Sequence, residues 1–222
     1  MADLIPNFMD PKELSNQLKK PTGKTGLEVA KALNESNQGL YDLAFELLDL
    51  KPDQKVLEIG FGNGKHFSQY FTVEPGLNVT GVDFSEDMCK EAEHRNSRLI
   101  DDGKLSIQCS ETSSLPFQDH TFDCIIAINV IYFLNPPALH LQEIRRVLKP
   151  EGTFLVGYRP RHSVEHFEFT KHNFALYESD ELIALMESNS FSILGQQTNA
   201  YQKVMDDKTE IEVKDACLVV KK

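Results

Sequence analysis

Residues Val56-Leu57-Glu58-Ile59-Gly60-Phe61-Gly62-Asn63-Gly64 decide the fold. An apolar run ends in glycines at every second position, and a helical pattern from His66 to Phe71 follows. Glycine admits φ > 0 and removes Cβ, so such a turn can be tight and can let a ligand approach the main chain. Taken alone, the same glycines would also serve a plain tight connection. The dinucleotide fingerprint G-x-G-x-x-G needs glycine at position 65, where Lys65 stands, and the third glycine comes one residue early. This turn is therefore less suited to a pyrophosphate. Glu58 adds a second signal. An acid inside an apolar run is costly unless paired or hydrogen-bonded, so it is expected to accept hydrogen bonds from the loop or from a bound cation.

Working outward, short β-rich runs alternate with helical stretches from Lys55 onward. Strands are expected at 55–60, 78–83, 105–109, 122–128, 152–158, 191–196 and 211–220, and helices at 66–71, 86–100, 137–148 and 179–188. That alternation predicts an α/β fold: a doubly wound, Rossmann-like, seven-stranded and mostly parallel sheet. Only the turn-like Asp206-Asp207-Lys208 separates the last two strands, which predicts a C-terminal antiparallel hairpin strand. Ser85 and Ser179 are the expected N-caps of the helices they precede. Before the sheet, Leu27, Val29, Ala30, Leu33, Leu40, Leu43, Ala44 and Leu47 recur at helical spacing, with an interruption expected near Asn34–Gly39. The chain thus divides into a helical N-terminal lid, 1–51, and a main domain, 52–222.

The 222 residues carry 23 Lys+Arg against 34 Asp+Glu, a formal net charge of −11. This balance argues against nucleic-acid binding over a wide surface, which rests on Lys and Arg neutralising phosphates. No run reaches the roughly 20 apolar residues of a membrane span, and Met1–Asp10 lacks the basic-then-apolar pattern of a secretory signal. The four cysteines, Cys89, Cys109, Cys124 and Cys217, show no C-x-x-C spacing, so neither zinc nor a disulfide framework is indicated, and a cytoplasmic protein is expected.

The second strand, Val79-Thr80-Gly81-Val82-Asp83, ends in an acid about twenty residues after the turn, placed to accept both hydroxyls of a ribose. Phe84 and Met88 follow it and are suited either to cover an adenine or to pack in the core. Glu58–Gly64, Gly81–Asp83, Ser110-Glu111-Thr112 through Leu115-Pro116-Phe117, Phe122-Asp123, and Glu143 through Arg145-Arg146 to Gly152 occur in order. Together they resemble the successive motifs of class I S-adenosylmethionine-dependent methyltransferases over about residues 52–222, nearest to the small-molecule branch that includes ubiquinone/menaquinone-biosynthesis methyltransferases. The segment Leu18–Gly26, with Asn34 and Asn37 beyond it, resembles the lead segment of an uncharacterised subgroup of that branch.

The resemblance implies S-adenosylmethionine as cofactor, S-adenosylhomocysteine as product and a small-molecule methyl acceptor. It implies that Glu58 and the backbone at Gly60, Gly62 and Gly64 hold the amino-acid end of the cofactor, and that Asp83 holds its ribose. Phe84, Met88, Glu111 and Thr112 would surround the adenine, with Glu111 standing where the family usually has Asp. Asn129 would meet the methionine moiety. The family commonly places histidines where Tyr132 and Phe133 stand, so a proton acceptor of that kind is missing. On the acceptor side the candidates are Asn37, Tyr41 and Tyr158, with Tyr132, His162 and His166 as candidate catalytic groups and His172 beside them. The i,i+4 pair His162/His166 lacks a third ligand, and no metal is expected. Arg145 and Arg146 read as exposed helix charge. A nicotinamide-dependent oxidoreductase is the alternative, disfavoured by Lys65 and Glu58, and a non-catalytic nucleotide-binding relative is another.

Overall fold

The computed structural model describes residues 9–204 and 208–222. Alternation along the strands builds a sheet buried on both faces. In β1 (Lys55–Ile59), Val56 belongs to one core layer and Leu57 and Ile59 to the other. The same division repeats in β2 (Asn78–Asp83), β4 (Phe122–Ile128) and β5 (Leu148–Tyr158), where Val79, Ile126 and Leu155 oppose Val82, Ile125 and Phe154.

With β3 (Leu105–Cys109), β6 (Ser192–Val204) and β7 (Glu210–Lys221), the sheet has seven strands in the order β3-β2-β1-β4-β5-β7-β6. The strand order reverses between β1 and β4, which opens a crevice at their carboxyl ends. β7 runs antiparallel to both β5 and β6, and the other neighbouring pairs are parallel. The expected terminal hairpin is present, although residues 206–207 of its expected turn lie outside the described residues. One face of the sheet is covered by α2 (Gly23–Leu47), α3 (Phe67–Val73) and α4 (Glu86–Arg95). The other face carries α6 (Pro137–Val147) and α8 (Ser179–Ser188). Two short helices, α5 (Ser97–Asp101) and α7 (Arg161–Val164), complete the set with α1 (Pro11–Lys19).

Several elements differ from expectation. α2 runs unbroken through Asn34–Gly39 for 25 residues. Gly39 meets a physical need there, since a Cβ at that position would lie 2.8 Å from Asp215 Oδ2. The helix expected over 86–100 breaks at Asn96, whose amide donates to the carbonyls of Ala92 and Gly64 at 2.9 and 3.0 Å. Ser85 caps α4 by accepting from Met88 N. At α8, however, Glu178 takes the capping place, with Glu181 accepting from its N–H at 2.8 Å, and Ser179 Oγ instead meets Tyr158 and Gln196. Arg146 is no solvated charge. It is half-buried and donates to Glu143, Asp119 and the carbonyls of Leu115 and Phe117, so it shapes the loop between β3 and β4.

Ile126 lies at the sheet centre with 1% of its surface exposed. Ile126→Ala is expected to cost about 2–5 kcal/mol with an unchanged denaturant slope. Urea unfolding checks this, and a cost under about 1 kcal/mol would contradict the central placement.

Candidate functional site

The turns after β1, β2, β3 and β4 border a cleft of about 300 Å³. Its floor is the glycine turn. Gly60 and Gly62 have φ of 71° and 58°, and a Cβ on Gly60 would lie 2.3 Å from Val130 Cγ2. Gly60 is therefore required by the close approach of the β1 and β4 turns. At Gly62 the required feature is the backbone angle, because a Cβ there would meet only open space.

Asp83 fixes this floor to β2. Its Oδ2 accepts from Gly62 N at 3.0 Å and its Oδ1 from Ser85 N at 2.9 Å. Each carboxylate oxygen can accept again, so both remain available to a pair of hydroxyls. Burial pushes the Asp83 pKa from 3.8 up to about 6, and the backbone donors at Ser85 and Gly62 work against that rise.

Glu58 lies beneath the cleft. It is 1% exposed, its Oε1 accepts from Tyr41 Oη at 2.5 Å, and the buried Tyr70 hydroxyl faces the same carboxyl group. Burial raises its pKa from 4.5 to about 7, with the Tyr41 hydrogen bond opposing. The Tyr41 ring stacks on His66 with centroids 3.8 Å apart. Burial lowers the His66 pKa from 6.5 to about 4, with the neighbouring Gln69 side chain opposing. The two Asp83 oxygens, each able to accept again, and the glycine turn that approaches the cleft with bare main chain match a polar ligand better than an apolar one. The residues present thus fit the cofactor that the resemblance implies.

α1 and the start of α2 cover the cleft. Ser85 Oγ donates to Pro21 O at 2.5 Å, Gly23 N to Asp87 Oδ2 at 2.7 Å, and Lys20 Nζ stands 5.0 Å over the Phe84 ring. At its other side α1 is tied to the segment after β5 by Ser15 Oγ donating to His172 O at 2.6 Å.

Gly60, Gly62, Asp83, Phe84, Glu111 and Thr112 line the cleft, as do Asn129, Asn37 and Tyr41 from the two ends of the expected site. Glu58 touches this lining through Tyr41. Gly64 and Met88 lie outside the lining, Met88 fully buried and Gly64 held against Ala92. Tyr158 is fully buried, and its hydroxyl donates to Ser179 Oγ rather than entering the cleft. His162 pairs with Glu178 at 2.8 Å while the His166 ring lies on Phe167, so the two histidines serve separate contacts. Tyr132 lines a smaller adjoining pocket, and its hydroxyl accepts from Arg159 N. His66, His140 and Arg159 were not foreseen. His140 lines the cleft from α6 with Nδ1 unpartnered, and burial lowers its pKa. Only an isolated histidine in an amphipathic pattern marked it in the sequence.

Residues 57–156 match the family model of a methyltransferase domain. The chain is 28% identical over 190 residues to an uncharacterised protein of Methanocaldococcus jannaschii, covering 82% of this chain and 85% of that one. It is 35% identical over 109 residues to a demethylmenaquinone methyltransferase of Corynebacterium kroppenstedtii, covering 49% and 43%. Apart from the M. jannaschii protein, the chain spans about half or less of these and similar curated relatives. Among solved structures, a SAM-dependent methyltransferase from Aquifex aeolicus superposes with a TM-score of 0.65 at 18% identity, covering 96% of this chain and 100% of that one.

A carboxylate whose pKa is higher in the folded than in the unfolded chain weakens the fold as pH rises between the two values. For Glu58 that window runs from 4.5 to about 7. His66 acts with the opposite sign between about 4 and 6.5, so the Glu58 effect is read as a difference between proteins. The unfolding free energy of Glu58→Gln minus that of the wild type, read from denaturant titrations, is expected to grow from pH 5 to pH 8 and then level off, by on the order of 3 kcal/mol in all. Parallel curves across that range would contradict the buried, elevated carboxylate.

Proposed function

We propose that the chain is a class I S-adenosylmethionine-dependent methyltransferase, as the methyltransferase-domain match over residues 57–156 supports, and that it methylates a small molecule held beside Asn129 and Phe133. The observation that carries this reading is Asp83 at the end of β2, joined to Gly62 N and with both oxygens still able to accept. When bound, S-adenosylmethionine supplies an electrophilic methyl on a sulfonium, and S-adenosylhomocysteine remains after in-line transfer. The residues of this chain bind, orient and exclude water. Asp83 would hold the ribose hydroxyls, the Gly60–Gly62 backbone and Glu58 the amino-acid end, and Glu111 with Thr112 the adenine edge.

On the acceptor side, the cover formed by α1 and α2 and the ring of Phe133 keep the cleft dry, which aligns the acceptor and protects the reacting group. Tyr132 is a donor in this setting. Burial raises its hydroxyl pKa well beyond the ordinary value, and its oxygen is bound to the Arg159 backbone. A base is needed only where the acceptor must lose a proton early. Within the N-terminal segment 1–51, the described residues 9–51 act as the helical cover, and 52–222 act as the methyltransferase domain. No helix among the described residues is long and apolar enough to cross a membrane, and the four free thiols suit the reducing cytoplasm. The acidic balance favours a small-molecule acceptor over nucleic acid.

Calorimetric titration separates this reading from its rival. S-adenosylhomocysteine is expected to bind and NAD not to bind, with Asp83→Ala weakening the former by more than about tenfold. NAD binding without a response to S-adenosylhomocysteine would overturn the assignment. In the same titration, affinity for S-adenosylhomocysteine is expected to rise from pH 6 to pH 8 as Glu58 ionises to face the cofactor ammonium, and to rise less in Glu58→Gln, where Asp83 alone of the two still titrates near 6.

A further inference from the structure

Two of the four thiols are neighbours. Cys89 lies on the buried face of α4, 5% exposed, and its Sγ donates to Asp83 O at 3.5 Å. Asp83 and Cys109 are partners across the β2–β3 ladder, and the next residue, Ser110, donates its N–H to the same Asp83 O at 3.0 Å. Strand alternation puts Cys109 on the side of β3 that carries Leu105 and Ile107, which pack in one layer with Cys89 and Ala92. The two thiols are thereby brought within hydrogen-bonding reach of each other. Burial, and after it the contact with Cys109, raises the Cys89 pKa well above its ordinary value.

Their accessibilities differ. Cys109 is exposed and Cys89 is not, so an oxidant in solution reaches Cys109 first. An exposed thiol with a second thiol in contact is the arrangement in which a sulfenic acid condenses to a disulfide. The pair also stands against the cofactor side of the sheet. α4 follows Ser85, whose N–H holds Asp83 Oδ1 and whose Oγ holds Pro21 O, and in its first turn Asp87 Oδ2 accepts from Gly23 N. Cys89 comes one turn later, with its N–H on Ser85 O at 3.0 Å. A bond from Cys89 to Cys109 takes Sγ away from the Asp83 carbonyl and draws α4 toward the end of β3, which disturbs both the seat of Asp83 and the anchor of the cover.

We propose that Cys89 and Cys109 form a thiol pair that a peroxide closes into a disulfide, and that closure weakens cofactor binding at Asp83. The second half rests on the methyl-transfer reading; the first does not. Cys109 Sγ attacks a peroxide oxygen, the O–O bond breaks, the thiol proton leaves with the departing oxygen as water or an alcohol, and a sulfenic acid remains. Cys89 Sγ then attacks the Cys109 sulfur, the S–O bond breaks, and the Cys89 proton leaves with the hydroxyl as water. The two thiols give up two electrons in all, and a dithiol reductant reverses the change.

Peptide mapping without reduction, after treatment of the protein with hydrogen peroxide and alkylation of the remaining thiols, tests the first half. The expected product is an intramolecular cross-link between the peptides of Cys89 and Cys109, with Cys124 and Cys217 recovered as free thiols. In Cys89→Ala, a dimedone-reactive sulfenic acid is expected at Cys109. A cross-link between two chains through Cys109, sulfinic acid at Cys109 of the wild type in place of the cross-link, or both thiols left free would each overturn the proposal. Calorimetry tests the second half. The cross-linked protein is expected to bind S-adenosylhomocysteine about fivefold or more weakly than the reduced protein, with recovery on adding dithiothreitol, while Cys109→Ser binds alike before and after peroxide. Equal affinity of the cross-linked and reduced forms, or the same loss in Cys109→Ser, would overturn it. A reduced protein that fails to bind S-adenosylhomocysteine at all would instead overturn the methyltransferase reading and the second half with it, and the peptide map would still decide the disulfide.

Discussion

The buried carboxylate of Asp83 is the constraint on which the cleft depends. It accepts from the glycine turn of β1 through Gly62 and from the start of α4 through Ser85, so one side chain sets the spacing of two loops. Ser85 passes the constraint on, because its hydroxyl reaches the carbonyl of Pro21 in the cover. Turn, sheet edge and cover are thereby held in register by a chain of hydrogen bonds within a few residues. Burial keeps this carboxylate short of its usual acidity, which leaves it well matched to hydroxyl donors.

A second buried acid performs the same task further in. Glu58 ties β1 to α2 through Tyr41, and the Tyr41 ring lies on His66 at the start of α3. A third, Asp215, ties β7 to Arg159, and Arg159 in turn holds the carbonyl of Ser36 on α2. α2 is therefore fastened to the sheet by polar contacts at both Ser36 and Tyr41, with an apolar face of Leu40, Leu43 and Ala44 beside them. Buried charges are weak sources of stability, but they specify geometry where each is paired.

The sequence reveals the parts of this structure that repeat at short range. Val56–Gly64, Asn78–Asp83 and Phe122–Ile128 alternate between the two core layers, and their register follows from that pattern. β6 was underestimated, since the expected 191–196 extends to Val204. It is an edge strand exposed along most of its length, so no buried face imposes a period on Gln197–Lys203. The unbroken α2 was hidden for a related reason. Asn34, Asn37 and Gly39 look like helix breakers, yet Asn37 meets Asn129 and Gly39 makes room for Asp215. The lining of the cleft is legible because Gly60, Gly62, Asp83, Glu111 and Thr112 follow their strands directly. Arg159 and Asp215 were not, because the partners are far apart in sequence and neither carries a local signature. Met88 and Tyr158 had the right residue types near the right edge, but packing turned both into the core.

The central claim is that the cleft between the β1 and β2 turns is a cofactor site organised by Asp83. A crystal structure of the protein with S-adenosylhomocysteine tests it most directly. The account predicts density along Gly60–Gly62 with both ribose hydroxyls on the Asp83 carboxylate and the amino-acid end toward Glu58. Density elsewhere on the protein, or a ribose in the cleft that leaves Asp83 untouched, would contradict it.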